Sequence, residues 1–118
     1  MNNSALTVTR TAHASGATVL TVAGELDHHT ASELTDTLRH TPFGPRTPVV
    51  IDLSELSYCD STGITVLIRA YNQANETGSR LFLAGLRPDL AHVFGIVGLD
   101  QVFTFRPTVQ EALAGLAS

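Results

Sequence analysis

Residues 49–64 read VVIDLSELSYCDSTGI, and the first five decide the architecture. Val49-Val50-Ile51-Asp52-Leu53 is short and almost wholly apolar, the pattern of a strand covered on both faces. The stretch through Ser57-Tyr58-Cys59-Asp60 reads as a loop. Beyond it, apolar residues recur at Ile64, Leu67, Ile68 and Tyr71, the i, i+3, i+4, i+7 stripe of one helix face. That helix is expected to end near Gly78. A buried strand followed directly by an amphipathic helix is half of a crossover unit, so the rest of the chain is read for its partners.

Working outward, the partners are present. Upstream, Leu6-Thr7-Val8-Thr9 and Thr18-Val19-Leu20-Thr21-Val22-Ala23 alternate apolar with β-branched polar residues around a break at Ser15-Gly16, which predicts a hairpin. Gly24 is read as the end of its second strand. Thr30-Ala31-Ser32-Glu33 has the form of a capping box, and Leu34 and Leu38 follow at helical spacing. Pro42, Gly44, Pro45 and Pro48 break that helix and make a loop. Downstream, Leu81-Phe82-Leu83-Ala84 predicts another buried strand. Pro88 opens a helix with its apolar face at Leu90, Val93, Phe94 and Val97, closed by Gly98. Val102-Phe103-Thr104-Phe105 predicts the last strand. Thr108 with Glu111 caps a final helix through Leu113 and Leu116.

The predicted order is β-β-α-β-α-β-α-β-α. It implies a single α/β domain over residues 1–118, with about four helices. Its mixed five-stranded sheet would be largely parallel, with an N-terminal antiparallel hairpin.

Composition narrows the chemistry. Seven arginines, no lysine and eleven carboxylates give a formal net charge of -4 over 118 residues. An acidic chain without lysine is a poor ligand for nucleic acid or an anionic membrane. One cysteine excludes an internal disulfide and a multi-cysteine zinc site. Met1-Asn2-Asn3-Ser4 lacks a basic leader, and no apolar run approaches the roughly 20 residues of a membrane span. The expected location is the cytoplasm.

Asp60-Ser61-Thr62-Gly63 falls where the buried strand meets its helix; in an open α/β sheet ligands and reactions gather at the carboxyl ends of the strands. Two readings of Ser61 stand side by side. It is an N-cap that satisfies free backbone N–H groups. Alternatively it accepts a phosphate, whose charge of roughly -1.5 to -2 a helix N-terminus tolerates.

Three segments together carry a resemblance. They are Gly24-Glu25-Leu26-Asp27-His28-His29-Thr30-Ala31, then Val49–Leu53 with Asp60-Ser61-Thr62-Gly63-Ile64, and then Val97-Gly98-Leu99-Asp100 before a strand. In this order, over about residues 5–116, the chain resembles a STAS domain of the bacterial anti-sigma factor antagonists. The resemblance implies partner switching. An unphosphorylated antagonist binds an anti-sigma factor, a serine kinase of the GHKL ATPase type, and so frees a sigma factor. The kinase phosphorylates the serine that matches Ser61, and a PP2C-type phosphatase resets it. The protein is then a substrate and not an enzyme, and it needs no cofactor. Thr62 stands where the family often has a second serine, so it is the second candidate acceptor. Asp27, Asp60, Ser61, Thr62 and Gly63 are the implied partner-binding residues. Asp27 is assigned to kinase recognition or to shaping its loop, against a local cap for Thr30 or the first helical turn. Thr65 and Arg69 are exposed positions on the same helix. The alternative is a STAS module that binds a small ligand, or serves another regulatory or transport assembly, without a phosphorylation cycle.

Other residues carry less. His28-His29 has no second ligand cluster, so no metal is expected. Cys59 is read as a small buried side chain. A serine hydrolase would need a Gly-x-Ser-x-Gly elbow, which the chain lacks. Gly63 stands alone, so there is no phosphate-cradling glycine loop.

Overall fold

The computed structural model describes residues 5–116, so Met1-Asn2-Asn3-Ser4 and the ends of the 1–118 domain expectation lie outside the described residues. In chain order the elements are β1 (Leu6–Ala12), β2 (Thr18–Leu26), α1 (Ala31–Arg39), β3 (Val49–Asp52), β4 (Leu56–Cys59), α2 (Ser61–Thr77), β5 (Leu81–Ala84), α3 (Pro88–Ile96), a 3-10 turn (Leu99–Gln101), β6 (Thr104–Arg106) and α4 (Val109–Leu116). The sheet runs β1-β2-β3-β5-β6, with β4 also paired to β2. Only β1 and β2 are antiparallel; every other pairing is parallel. The α/β class, the N-terminal hairpin and the four helices are as the sequence predicts.

The strand count differs: six among the described residues, against five expected. The extra strand is Leu56–Cys59, which the sequence presents as a loop. Leu56 and Cys59 are buried while Ser57 and Tyr58 between them are exposed, so the segment lacks the period of two that marks a strand. Its pairing is also irregular, because the β2–β4 register shifts between Gly24 and Glu25. Gly24 therefore does not end β2. It is a bulge with φ of +107°, and a Cβ there would lie 2.1 Å from the Ala5 carbonyl oxygen, so only glycine fits. One long strand, β2, thus serves two short ones. Its first half pairs with β3 (Thr18↔Val49 to Thr21↔Asp52) and its second with β4 (Gly24↔Leu56 to Leu26↔Cys59).

Val49, Val50 and Ile51 are fully buried, because helices cover both faces of the central strand. On one face Leu20, Val22, Leu34, Leu38, Ile51, Leu67, Leu83 and Phe94 form the main core. On the other, Val50, Phe82, Ala84 and Ala112 join the sheet to α4. The Thr108 cap of α4 forms, with Glu111 N donating to its hydroxyl at 3.0 Å.

Two helix faces are turned from their expected orientation. The buried residues of α2 are Gly63, Val66, Leu67, Ala70 and Ala74, one position round from Ile64, Leu67, Ile68 and Tyr71. Small residues let the helix axis approach the sheet, and the large side chains flank the contact; Tyr71 sits edge-on to Phe103 at 5.7 Å. In α3 only Leu90 and Phe94 are buried, while Val93 and Val97 are 41% and 57% exposed. The last strand is Thr104–Arg106 and not Val102–Phe105, because the 3-10 turn after Gly98 delays it. Among the described residues no helix is long and apolar enough to cross a membrane.

Candidate functional site

β2 and β4 run parallel and end side by side, with Leu26 opposite Cys59. The loop that enters α1 and the turn that enters α2 therefore leave the sheet as neighbours. Asp60 N donates to Leu26 O at 3.1 Å, which ties the two strand ends together.

Asp60 is the N-cap of α2, with extended backbone. Its Oδ1 accepts from Gly63 N at 3.0 Å, and its Oδ2 accepts from His28 N at 3.2 Å. One carboxylate thus caps its own helix and clips the neighbouring loop. The His28 imidazole lies 3.8 Å from the same Oδ2. The hydrogen bond from Gly63, seconded by those from His28 and Thr62 and by the imidazole, holds the Asp60 carboxyl below its ordinary range, against a smaller opposing effect of desolvation.

Gly63 makes the close approach possible. A Cβ there would fall 2.7 Å from Leu26 Cγ, 2.9 Å from Cys59 Sγ and 2.9 Å from Leu26 O. The first turn of α2 is therefore seated directly on the ends of β2 and β4. Cys59 lies beneath it; burial, with the Asp60 charge second, pushes its thiol up to about 12, so it is a packing residue.

Ser61 is not the N-cap: Asp60 holds that place, and Ser61 is the first helical residue. Its side chain is exposed, and among the described residues its hydroxyl makes no hydrogen bond; only its carbonyl is engaged, accepting from Thr65 Oγ1 at 2.9 Å. Thr62 is exposed beside it, and Thr65 and Arg69 lie exposed further along α2.

The α1 entrance is built differently. Thr30 holds the N-cap position, but the expected capping box is not how its side chain is used. The Thr30 hydroxyl is buried, donates to Glu25 O at 2.8 Å and accepts from Asp27 N at 2.9 Å. The Thr30 side chain makes no capping bond to α1; Asp27 Oδ1 accepts from His29 N at 2.9 Å and Thr30 N at 3.1 Å, and its carbonyl oxygen accepts from Ala31 N, the first helical N–H, at 2.8 Å. Asp27 thus bonds the Thr30 backbone and shapes its loop, which stands next to Ser61 through the His28–Asp60 clip. The His28 and His29 rings lie against each other on the surface, with centroids 3.9 Å apart and planes tilted by 40°. Among the described residues no group of three or more His, Cys, Asp or Glu is placed to hold a metal.

Asp27, Asp60, Ser61, Thr62 and Gly63 thus lie at one end of the sheet. The link the sequence hides is His28, which joins the two motifs, together with the half-exposed Tyr58 beside them on β4. Seeing either requires the β2–β4 register. The site presents a free hydroxyl on a rigid helix start, flanked by a fixed carboxylate, with no side-chain base bonded to that hydroxyl among the described residues.

Several known proteins resemble this chain in sequence or in fold. The STAS domain profile matches residues 9–112. The chain is 35% identical over 85 residues to the anti-sigma-B factor antagonist of Listeria monocytogenes, covering 72% of this chain and 75% of that protein. A crystal structure of an anti-sigma factor antagonist from Mycobacterium paratuberculosis superposes with a TM-score of 0.82 at 26% identity, covering 96% and 95% of the two chains. The Bacillus cell fate determinant SpoIIAA in its phosphorylated form shares the fold, with a TM-score of 0.72 at 21% identity and coverage of 93% and 99%.

Proposed function

The chain belongs to the STAS domain family, among the anti-sigma factor antagonists, and from that premise we propose that it is a cytoplasmic partner switch acted on at Ser61. In the unphosphorylated state it binds an anti-sigma factor, a serine kinase of the GHKL type, through Asp27, Asp60, Ser61, Thr62 and Gly63, and so releases a sigma factor. The kinase transfers a phosphate to the Ser61 hydroxyl, and a PP2C-type phosphatase removes it. The protein itself catalyses nothing.

The observation that carries this reading is the Ser61 hydroxyl, exposed, unbonded among the described residues and standing at the first position of a helix. A phosphate at that position lies beside the positive end of the helix dipole, which favours an anion, so the fold survives the modification. A dianion buried against a partner that fits the neutral hydroxyl incurs desolvation and repulsion from Asp60, which weakens the complex. The fold accommodates a phosphorylated state in SpoIIAA. The test is phosphorylation of the full chain by its kinase and ATP, with the site mapped by mass spectrometry. Ser61→Ala is expected to abolish incorporation, and Ser61→Asp to weaken partner binding. Full incorporation into Ser61→Ala overturns the assignment and points to Thr62.

A further inference from the structure

At the opposite end of α2 lies a cavity of about 440 Å³ lined by Tyr71, Asn75, Ser79, Arg80, Thr104 and Arg106 among others. At 1.5 Å rise per residue, Asn75 lies roughly 20 Å along the helix from Ser61, so this is a separate region. Its size falls within the range of small-molecule sites. Its walls are polar, and no carboxylate lines it. Two of the chain's seven arginines face it, in a molecule with a net charge of -4. Neither has an acidic partner: the ion pairs among the described residues are His28–Asp60 and Arg39–Asp36.

Both guanidiniums are held in place by one aromatic ring. Arg80 Cζ lies 5.5 Å and Arg106 Cζ 5.1 Å from the centroid of Phe82, which is itself buried. Arg106 Nη1 is further fixed by donating to Phe105 O at 2.9 Å. The remaining N–H groups of both arginines, the Asn75 amide and the Tyr71 hydroxyl make no hydrogen bond to another described group. Two positioned forks without a carboxylate in the cavity leave an array of unused donors. Planar guanidinium forks match the oxygens of phosphate in a bidentate way.

We propose that this cavity binds a small phosphate-bearing anion, free phosphate or a phosphate monoester, with Arg80 and Arg106 clamping its oxygens and Asn75, Tyr71 and Thr104 contacting the remainder. Isotope-labelled full-length protein is titrated with inorganic phosphate, AMP and adenosine at constant ionic strength, and backbone amide shifts are followed by NMR. Saturable shifts centred on Ser79–Phe82 and Thr104–Arg106 are expected with phosphate and AMP and not with adenosine. Tighter binding of AMP than of phosphate identifies a monoester, and equal binding identifies the free ion. Arg80→Gln and Arg106→Gln are each expected to weaken binding about tenfold or more. Should either variant fail to fold, Arg80→Lys and Arg106→Lys retain the charge without the fork and are expected to bind more weakly than the parent. Absence of saturation, binding of adenosine alone, or unchanged affinity in the variants overturns the proposal.

Discussion

The starts of α1 and α2 are neighbours built from similar materials and put to opposite uses. Each follows a parallel strand end, and each has an aspartate that accepts backbone N–H groups, Asp27 for one and Asp60 for the other. Each also has a hydroxyl residue within the first positions. At α1 the hydroxyl residue, Thr30, occupies the N-cap itself, is buried, and spends its side chain on Glu25 O and Asp27 N. At α2 the aspartate occupies the N-cap, and the hydroxyl residue one position later points into solvent. A shift of one residue relative to the cap separates a hydroxyl that holds the fold from one that is available to a partner.

The largest effect tests the structural hydroxyl. Thr30→Val preserves shape and removes the donor and acceptor, so Glu25 O and Asp27 N lose a partner at the buried Thr30 side chain, in part-buried hydrogen bonds. Each unsatisfied buried group costs about 1–3 kcal/mol, so a loss of about 2 kcal/mol or more is expected in urea denaturation. A loss below 0.5 kcal/mol, the scale of an ordinary surface change, would erase the distinction between the two helix starts.

Gly63→Ala comes next and tests the seating of α2. Alanine gains up to about 1 kcal/mol of helix propensity over glycine. Against that, its Cβ meets Leu26 Cγ, Cys59 Sγ and a backbone oxygen, all within 2.9 Å. A backbone oxygen cannot rotate away, and overpacking costs about 1–3 kcal/mol, so the clash wins. Net destabilisation is expected in the same assay, with altered NMR shifts at Leu26 and His28. A stabilised variant would mean that α2 is not pressed onto the strand ends.

These two residues also mark how far sequence reading reaches. The buried strand at Val49–Ile51, the hairpin and the helix breaks at Pro42 and Gly78 are legible because they depend on local periodicity and backbone chemistry. The tetrapeptide with Ser61 is legible because it lies at a strand-to-helix junction. What is hidden depends on contacts distant in sequence. β4 does not alternate, since a bulge at Gly24 resets the register of its partner. The Thr30 side chain looks like a capping-box member until Glu25 O, across the turn, claims it. The clip from His28 to Asp60 spans 32 residues and follows only from the β2–β4 pairing. The buried face of α2 is displaced because glycine and alanine, weak signals in a hydrophobic pattern, mark the closest contact.

A smaller effect concerns the clip. The Asp60 carboxyl is held below its ordinary value of 3.8. A depressed folded-state value means the ionised form is favoured by folding. The stability it contributes is present above the ordinary carboxylate range and disappears as the pH falls through the lowered value. Asp60→Asn is therefore expected to flatten the acid side of a stability-against-pH curve below about pH 4, the ordinary carboxylate range, relative to the parent. An unchanged acid limb would detach Asp60 from the link between the two loops.

The smallest effect is the most telling about Ser61. Its hydroxyl bonds to nothing described, so Ser61→Ala removes no contact and leaves Asp60 capping the helix. The expected change is within about 0.5 kcal/mol, as for a surface substitution away from any special feature. Equal midpoints in urea for parent and variant, alongside the loss from Thr30→Val, would place the two hydroxyls on opposite sides of one division. A phosphate switch at Ser61 depends on that division. Were the hydroxyl part of the fold, modification would unfold the domain and every partner would be lost with it. Because it stands outside the fold's own bonds, charge added there would be read at the surface, by a protein that meets the start of α2. A loss above about 1 kcal/mol in Ser61→Ala, twice the surface scale, would return this residue to the structural role that Thr30 plays.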